Sequence, residues 1–227
     1  MLFLILGRGK TGSIVAQVAA ERGHGVRVLG EEENPSASAL NAPFLAGFDA
    51  IIDFTTPDAV VHNLRACLAN GARVVVGTTG WYAHLNDMRA LAERKGAGLL
   101  YGTNFSIGVQ AMLRVARELV LAVPDYQFSI TETHHVSKKD APSGTALTIK
   151  QVLQTANPSL QVEITSKREG DASGIHVIEA RTQNDVIELK HEAFSRRGFA
   201  EGAVRAAEWI VGKSGVWEFS KITSQIG

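Results

Sequence analysis

The sequence predicts an α/β protein in two parts: a doubly wound parallel sheet, followed by an α+β domain with a mixed sheet. Three observations carry this reading. Short, continuously apolar runs alternate with amphipathic stretches of helical period through the first hundred residues, the pattern of strands buried on both faces and joined by crossover helices. After Asn104 the pattern changes to period-2 alternation, which describes a sheet with one solvated face. The third observation is a glycine-rich turn, Gly7-Arg8-Gly9-Lys10-Thr11-Gly12, between the first apolar run and the first helix.

Met1–Leu6 reads as the first strand, and Ile14, Val15, Val18 and Ala19 recur at helical spacing until Gly23 and Gly25 close the helix. Val26–Leu29 is the second strand and Phe48–Phe54 the third, bounded by Thr55-Thr56-Pro57. Thr56 and Pro57 suit an N-cap and a first helical position. That helix runs to about Asn70 and stops at Gly71, after which Arg73–Val76, Tyr82–Lys95 and Gly98–Tyr101 give strand, helix and strand. In the second part Ser106–Val123 is one long amphipathic helix. Gln127–Thr133, Val162–Lys167, His176–Thr182 and Asp185–His191 alternate as strands, interrupted by a helix from Ser143 to about Thr155. A last helix, Ala200–Val211, follows Gly198.

Composition excludes several classes of function. Lys+Arg and Asp+Glu both number 23, giving a formal net charge of zero, so no bulk field draws the chain to nucleic acid or to a membrane surface. At 45% hydrophobic residues the chain has material for a sizeable core, against disorder as its main state. The single cysteine, Cys67, has no partner for an intramolecular disulfide and reads as a small buried hydrophobe. Met1–Leu6 lacks the basic region and cleavage site of a signal peptide, and no apolar run approaches the roughly 20 residues that span a bilayer. The expectation is a soluble, cytoplasmic protein with neither nucleic acid nor membrane as partner.

In the glycine turn, Gly7, Gly9 and Gly12 permit a tight bend and let the backbone, with Lys10 and Thr11, approach a pyrophosphate at the helix N-terminus. An ordinary strand-to-helix turn is the alternative; the position after a buried strand favours a Rossmann-like nucleotide site. Glu31 and Glu32 follow the second strand, about 20 residues past the loop, where an acidic side chain accepts ribose hydroxyls. No Lys or Arg comes after them, so a 2′-phosphate would meet carboxylates. The cofactor expectation is therefore NADH, with NADPH possible, and a solvated loop is the bland alternative for either glutamate. Phe54-Thr55-Thr56 and Gly77-Thr78-Thr79-Gly80 lie at carboxyl ends of predicted parallel strands, where such sheets hold ligands. Their hydroxyls suit a carboxamide or ribose, or alternatively cap helices.

The densest polar segment runs from Glu132 to Ala146: Glu-Thr-His-His-Val-Ser-Lys-Lys-Asp-Ala-Pro-Ser-Gly-Thr-Ala. Adjacent His134 and His135 on a strand point to opposite faces, so a structural role for one of them is the alternative to chemistry. Ser143-Gly144-Thr145 opens a helix after Pro142 and, with Lys138 upstream, suits a carboxylate. A capped helix with surface lysines explains the same residues, and Lys139 reads as solvated. The histidine spacing, without cysteine or an i,i+4 histidine, predicts no metal site. His176 reads as packing.

Taken with Asn104-Phe105-Ser106-Ile107-Gly108-Val109, these motifs resemble the 4-hydroxy-tetrahydrodipicolinate (dihydrodipicolinate) reductase family. Its signature E-x-H-H-x-x-K-x-D-A-P-S-G-T-A is met at every fixed position from Glu132 to Ala146, and the resemblance spans the chain. It implies a dinucleotide-binding domain formed by residues 1–104 and 197–227, with the final helix and Trp217-Glu218-Phe219 returning to it. Residues 105–196 would form a substrate-binding and oligomerisation domain in a homotetramer. It also implies reduction of a dicarboxylate cyclic imine in the diaminopimelate route to lysine. His134 would correspond to the proposed acid, His135 and Lys138 to substrate and proton-transfer groups, Gly144 and Thr145 to the carboxylate cradle. Asn104, Phe105 and Thr78 would lie near the nicotinamide. Lys10 stands where the family often has Arg, and the Arg181–Asp185 region is shorter than in many members. Another two-domain nicotinamide-dependent dehydrogenase, or a non-catalytic NAD-binding sensor, would use the same fold.

Overall fold

The computed structural model describes residues 1–226, in two compact units: Met1–Ile107 with Arg197–Gly227, and Gly108–Arg196. The strands are β1 (Leu2–Leu6), β2 (Gly25–Leu29), β3 (Ala50–Asp53), β4 (Arg73–Val76), β5 (Gly98–Tyr101), β6 (Gln127–His134), β7 (Val162–Arg168), β8 (Ile175–Arg181), β9 (Val186–Glu192) and β10 (Gly215–Glu218). Helices α1 (Lys10–Glu21), α2 (Ala42–Leu45), α3 (Pro57–Ala69), α4 (Leu85–Lys95), α5 (Ile107–Ala122), α6 (Gly144–Ala156), α7 (Arg197–Ile210) and α8 (Phe219–Ile222) connect or follow them. No helix among the described residues is long and apolar enough to cross a membrane.

The first unit is a six-stranded parallel sheet in the order β10-β5-β4-β3-β1-β2. Alternate strand residues face opposite layers. Phe3, Ile5, Ile52, Val75 and Leu100 pack against Val15, Val18, Val204 and Ile210 of α1 and α7. Leu4, Leu6, Ile51, Val74 and Leu99 pack against Leu64, Leu68 and Met88 of α3 and α4. Each such side chain, removed from water, contributes about 1.5–3 kcal/mol, which explains why runs of four or five apolar residues suffice as strands. The chain leaves β1 in one direction to β2 and in the other to β3, so the crevice at the carboxyl ends of β1 and β3 is the topological switch point.

The structure trims and extends the expected elements for identifiable reasons. β3 begins at Ala50, not Phe48, because the Asp49 carboxylate turns back to accept the Leu2 N–H at 2.7 Å. Tyr82–His84 is a 3₁₀ turn that precedes α4 instead of its first turn. α7 begins three residues early, where Arg197 reaches Glu21 at 2.6 Å and Glu201 at 2.9 Å. The short segment containing Trp217 and Glu218 is a sixth strand, paired in parallel with β5 through Gly215↔Gly98 to Glu218↔Tyr101.

In the second unit the order is β7-β6-β8-β9, with β6 and β7 parallel and the other pairs antiparallel. Phe128, Ile130, Val162, Ile178 and Ala180 form its core with Val109, Met112 and Ala116 of α5 and Ile149 and Leu153 of α6. β6 alternates strictly, so Phe128, Ile130, Glu132 and His134 share the buried face. That face is apolar in its first half and polar in its second, a placement that decides the chemistry of the unit.

Candidate active site

In the first unit the glycine turn closes on β3. Gly7 has φ +105°, and a Cβ on it would stand 2.2 Å from the Phe54 carbonyl oxygen; a Cβ on Gly12 would stand 2.1 Å from the Gly7 oxygen. Only glycine satisfies both, so the turn fits the requirement that backbone come close to a bound group. Gly9 caps α1 without a side-chain bond, and a Cβ there would meet nothing within 4 Å. The first-turn N–H groups, which no helix satisfies internally, thus open onto free space and suit a pyrophosphate.

Arg8 reaches from this turn across the end of β2, where Nη2 lies 2.6 Å from Glu33 Oε2 and 3.4 Å from the Val28 carbonyl. The Gly30 N–H donates to the same Glu33 oxygen at 2.9 Å, and these two donors hold the carboxyl below the usual range. Glu31 and Glu32 lie exposed on the turn after β2. The cation paired at this corner, Arg8, comes from the glycine turn and not from the residues just after Glu32.

Asp53, at the end of β3 and fully buried, organises the other two loops. Its Oδ1 accepts from the Thr55 N–H at 3.0 Å, Thr55 Oγ1 at 2.7 Å and Thr78 Oγ1 at 2.8 Å; Oδ2 accepts from Asn63 Nδ2 at 2.9 Å. Asn34 Nδ2 donates to Asn63 Oδ1 at 3.0 Å, and Asn34 Oδ1 accepts from the Ala39 N–H at 3.2 Å. The hydroxyls of Thr55 and Thr78 are therefore turned inward onto a carboxylate, leaving backbone and Thr79, which is exposed, toward the crevice. Trp81 Nε1 fixes the Thr78 carbonyl at 2.9 Å. Thr56 caps α3 by accepting from the Ala59 N–H at 3.3 Å. Phe105 packs between Phe54 and Phe219, with centroids 6.2 and 4.5 Å away, and Asn104 Oδ1 accepts from the Ser106 N–H at 2.8 Å ahead of α5.

In the second unit Ser143 is the N-cap of α6, its Oγ accepting from the Ala146 N–H at 3.2 Å. Gly144 and Thr145 open the helix, and a Cβ on Gly144 would meet nothing within 4 Å. Lys138, on the loop from β6, pairs with Asp140 at 2.8 Å. His135 turns away, with Nδ1 2.8 Å from Ser137 Oγ, while His134 is buried. His134 Nδ1 stands 3.1 Å from Glu132 Oε2, close enough for charge pairing although not aligned as a hydrogen bond. His176, opposite Glu132 in the β6–β8 register, has Nε2 at 4.0 Å from Oε2 and 3.3 Å from Ser143 Oγ. The donor atoms of Glu132, His134 and His176 thus lie within 4.8 Å of one another, a grouping invisible in their spacing. With the Arg168 guanidinium 3.2 Å from the same carboxylate, the trio has the composition of a charge network.

Burial opposes ionisation of Glu132, but hydrogen bonds from the Ser143, Ser166 and Arg168 side chains and the Ser143 N–H outweigh it and bring the carboxyl down to about 2. Burial, and then the His134 imidazole, push His176 down to about 4 against the pull of Glu132. Burial likewise lowers His134. Both His176 and Glu132 are depressed, so the unfolded chain binds more protons than the folded one between pH 6.5 and about 4 for His176 and between 4.5 and about 2 for Glu132. Their stabilisation is complete above pH 6.5 and drains as pH falls. The melting temperature is expected to drop on acidification below pH 6.5, and His176→Asn to flatten that drop; a wild-type melting temperature constant from pH 7 to 4 contradicts this.

A parallel sheet with a nucleotide-type glycine turn at its switch point, joined to a second unit carrying a lysine, histidines and an open helix end, defines a two-domain nicotinamide-dependent oxidoreductase. Residues 3–105 match the family described as dihydrodipicolinate reductase, N-terminus, and residues 108–222 its C-terminus. The chain belongs to the dihydrodipicolinate reductase family. It is 39% identical over 234 residues to the 4-hydroxy-tetrahydrodipicolinate reductase of Natronomonas pharaonis, covering 92% of this chain and 94% of that one. To the enzyme of the same name from Christiangramia forsetii it is 31% identical, covering 100% and 99%. The dipicolinate-bound dihydrodipicolinate reductase of a Paenisporosarcina species superimposes with a TM-score of 0.80 at 26% identity, covering 98% of this chain and 99% of that one.

Proposed function

We propose that this chain reduces the dehydrated cyclic imine form of 4-hydroxy-tetrahydrodipicolinate to tetrahydrodipicolinate, in the diaminopimelate route to lysine. It would work in the cytoplasm as a homotetramer. The observation that carries the reading is the grouping of Lys138, His134 and the open start of α6 on one end of one sheet, within a chain of this family. Relatives bearing the reductase name and a dipicolinate-bound neighbour support a dicarboxylate as substrate.

The bound nicotinamide supplies a hydride to substrate carbon C4. Density moving to the ring nitrogen makes an enamine that then takes a proton on carbon, so the chain has two anionic groups to hold and one proton to deliver. The N–H groups at Gly144 and Thr145, with the positive end of the α6 dipole, hold one carboxylate. Lys138 exchanges Asp140 for the other carboxylate and screens the developing charge. His134, beside Lys138, delivers the proton, and His135, which meets Ser137, turns to bind substrate.

For the cofactor, Gly7, Gly9, Lys10, Thr11 and Gly12 hold the pyrophosphate, and Glu31 binds the ribose hydroxyls of NADH. Phe54, Thr55, Gly77, Thr78, Thr79, Asn104 and Phe105 border the nicotinamide. NADH is preferred, but Arg8, by exchanging Glu33 for a 2′-phosphate, admits NADPH as well. Arg8→Ala is accordingly expected to raise KM for NADPH about tenfold and to leave KM for NADH within twofold, a split that steady-state kinetics with both cofactors measures. The function itself is tested by following the absorbance of NADH and NADPH with the substrate generated in the cuvette by the preceding aldolase. Turnover, faster with NADH, is the expected result; NADH binding without turnover of either cofactor overturns the proposal.

A further inference from the structure

At the centre of the second unit lies a carboxylate to which the reaction above gives no task. Glu132 is fully buried; Oε1 holds the start of α6 by a hydrogen bond and Oε2 faces His134 as a charge contact. Oε1 accepts from the Ser143 N–H at 3.1 Å and from Arg168 Nη2 at 3.2 Å. That same Arg168 nitrogen donates to the Asp140 carbonyl at 2.6 Å, so the guanidinium ties Glu132 to the loop that carries Lys138. Oε2 faces His134 Nδ1 at 3.1 Å. Nδ1 is turned to this side as a charge contact without a hydrogen bond, and the remaining ring nitrogen, Nε2, lies against Gly174, where a Cβ would stand 3.1 Å from it.

We propose that Glu132 is the positioning residue of this active site, presenting Nε2 of His134 to the substrate and holding the start of α6 and the Lys138 loop in register with it. The inference rests on the function proposed above. A carboxylate 3.1 Å from Nδ1 favours the protonated imidazole and the ring orientation that keeps Nδ1 toward it. One that also anchors a helix start and a loop preorganises the whole anion site, which costs about a hundredfold in rate when misplaced by an ångström.

The charged and titratable groups that face His134 are Glu132 from β6, Lys138 and Asp140 from the loop, Arg168 from β7 and His176 from β8. Glu132 and Arg168 act on the imidazolium with opposite signs, and this separates positioning from mere stability. His134 donates a proton only when charged, so kcat declines as pH rises through its pKa in the complex. E132Q keeps the shape and removes the negative charge. Its kcat is expected to fall ten- to a hundredfold, with the alkaline decline displaced to lower pH. R168Q removes a cation that opposes the imidazolium, so its lowered kcat should carry an alkaline decline displaced to higher pH. E132D, which restores the charge, is expected to recover part of kcat and the wild-type decline. NADH affinity, read by fluorescence titration, stays unchanged in all three.

An E132Q variant with wild-type kcat and pH profile overturns the inference, as does displacement of the decline in the same direction by E132Q and R168Q. Should E132Q not fold, R168Q decides: an unmoved decline overturns the proposal. Failure of the wild-type chain to turn over would sink the proposed function instead, whereas an active wild type with unmoved variants sinks the positioning role alone.

Discussion

Lys138→Ala is expected to lower kcat by about three orders of magnitude while NADH affinity stays within twofold. The side chain is only 22% exposed, and its sole ion-pair partner among the described residues is Asp140, on its own loop. That pair holds the Asp140 carboxyl below its ordinary range. Such a local pair is broken at little cost when a substrate carboxylate arrives, since exposed or half-exposed pairs are worth at most about 1 kcal/mol. In the proposed reaction the lysine acts mainly on the transition state, where charge builds on the substrate; losing one such donor costs about 10²–10³ in rate, and a proton-transfer partner adds to this. The residues proposed to hold the cofactor lie in the first unit, so the nucleotide affinity is expected to stay unchanged. Lys139→Ala, at the exposed neighbouring position, is the control and should retain nearly full turnover. Stopped-flow or steady-state oxidation of NADH, with fluorescence titration of the cofactor, reads both quantities; near-normal turnover in the Lys138 variant excludes the role.

The glycine turn and the helix start at Ser143 were legible because their physics is local. A φ of +105° at Gly7 and a cap at Ser143 are decided by residues within a few positions, and the sequence displays those residues side by side. The groups that organise the site were not legible, since their partners come from distant strands. Arg168 meets Glu132 across 36 positions and His176 meets Ser143 across 33, through a strand register that alternation cannot supply. His176 looked like packing because it alternates with Ile178 and Ala180 on a buried face; which groups stand opposite is a property of the pairing with β6. The threonine loops are legible, but the direction of their hydroxyls depends on a buried Asp53 that reads in sequence only as an interior residue of the strand Phe48–Phe54. β10 is not legible because its four residues, which begin at Gly215, show neither period, and only the open edge of β5 makes them a strand.

Asp53→Asn is the substitution with the largest expected effect on the nucleotide half, although it changes one atom. Every group that touches Asp53 donates: the Thr55 N–H, two threonine hydroxyls and the Asn63 amide. An amide nitrogen placed at Oδ1 would face the Thr55 N–H, which cannot reverse, and two hydroxyls that would have to stop donating; placed at Oδ2, it would face Asn63 Nδ2. Turning the Asn63 amide to accept would aim its own NH2 at Asn34 Nδ2, and turning Asn34 in compensation would aim an NH2 at the Ala39 N–H. That last donor is backbone and cannot reverse. The polarity of the chain from Ala39 to Thr78 is thus fixed by a group that only accepts, and burial, which pushes the Asp53 carboxyl up, is opposed by the four bonds it receives. One or two buried donors left unsatisfied cost about 1–3 kcal/mol each. For a chain of this length that lowers the melting temperature by about 5–10 °C. The loops after β3 and β4 are both held by this residue, so KM for NADH is expected to rise about tenfold, with kcat at saturating cofactor reduced much less. Melting curves with and without NADH, beside steady-state kinetics, check both; wild-type values for melting temperature and KM would show that Asp53 does not set the geometry of the cofactor loops.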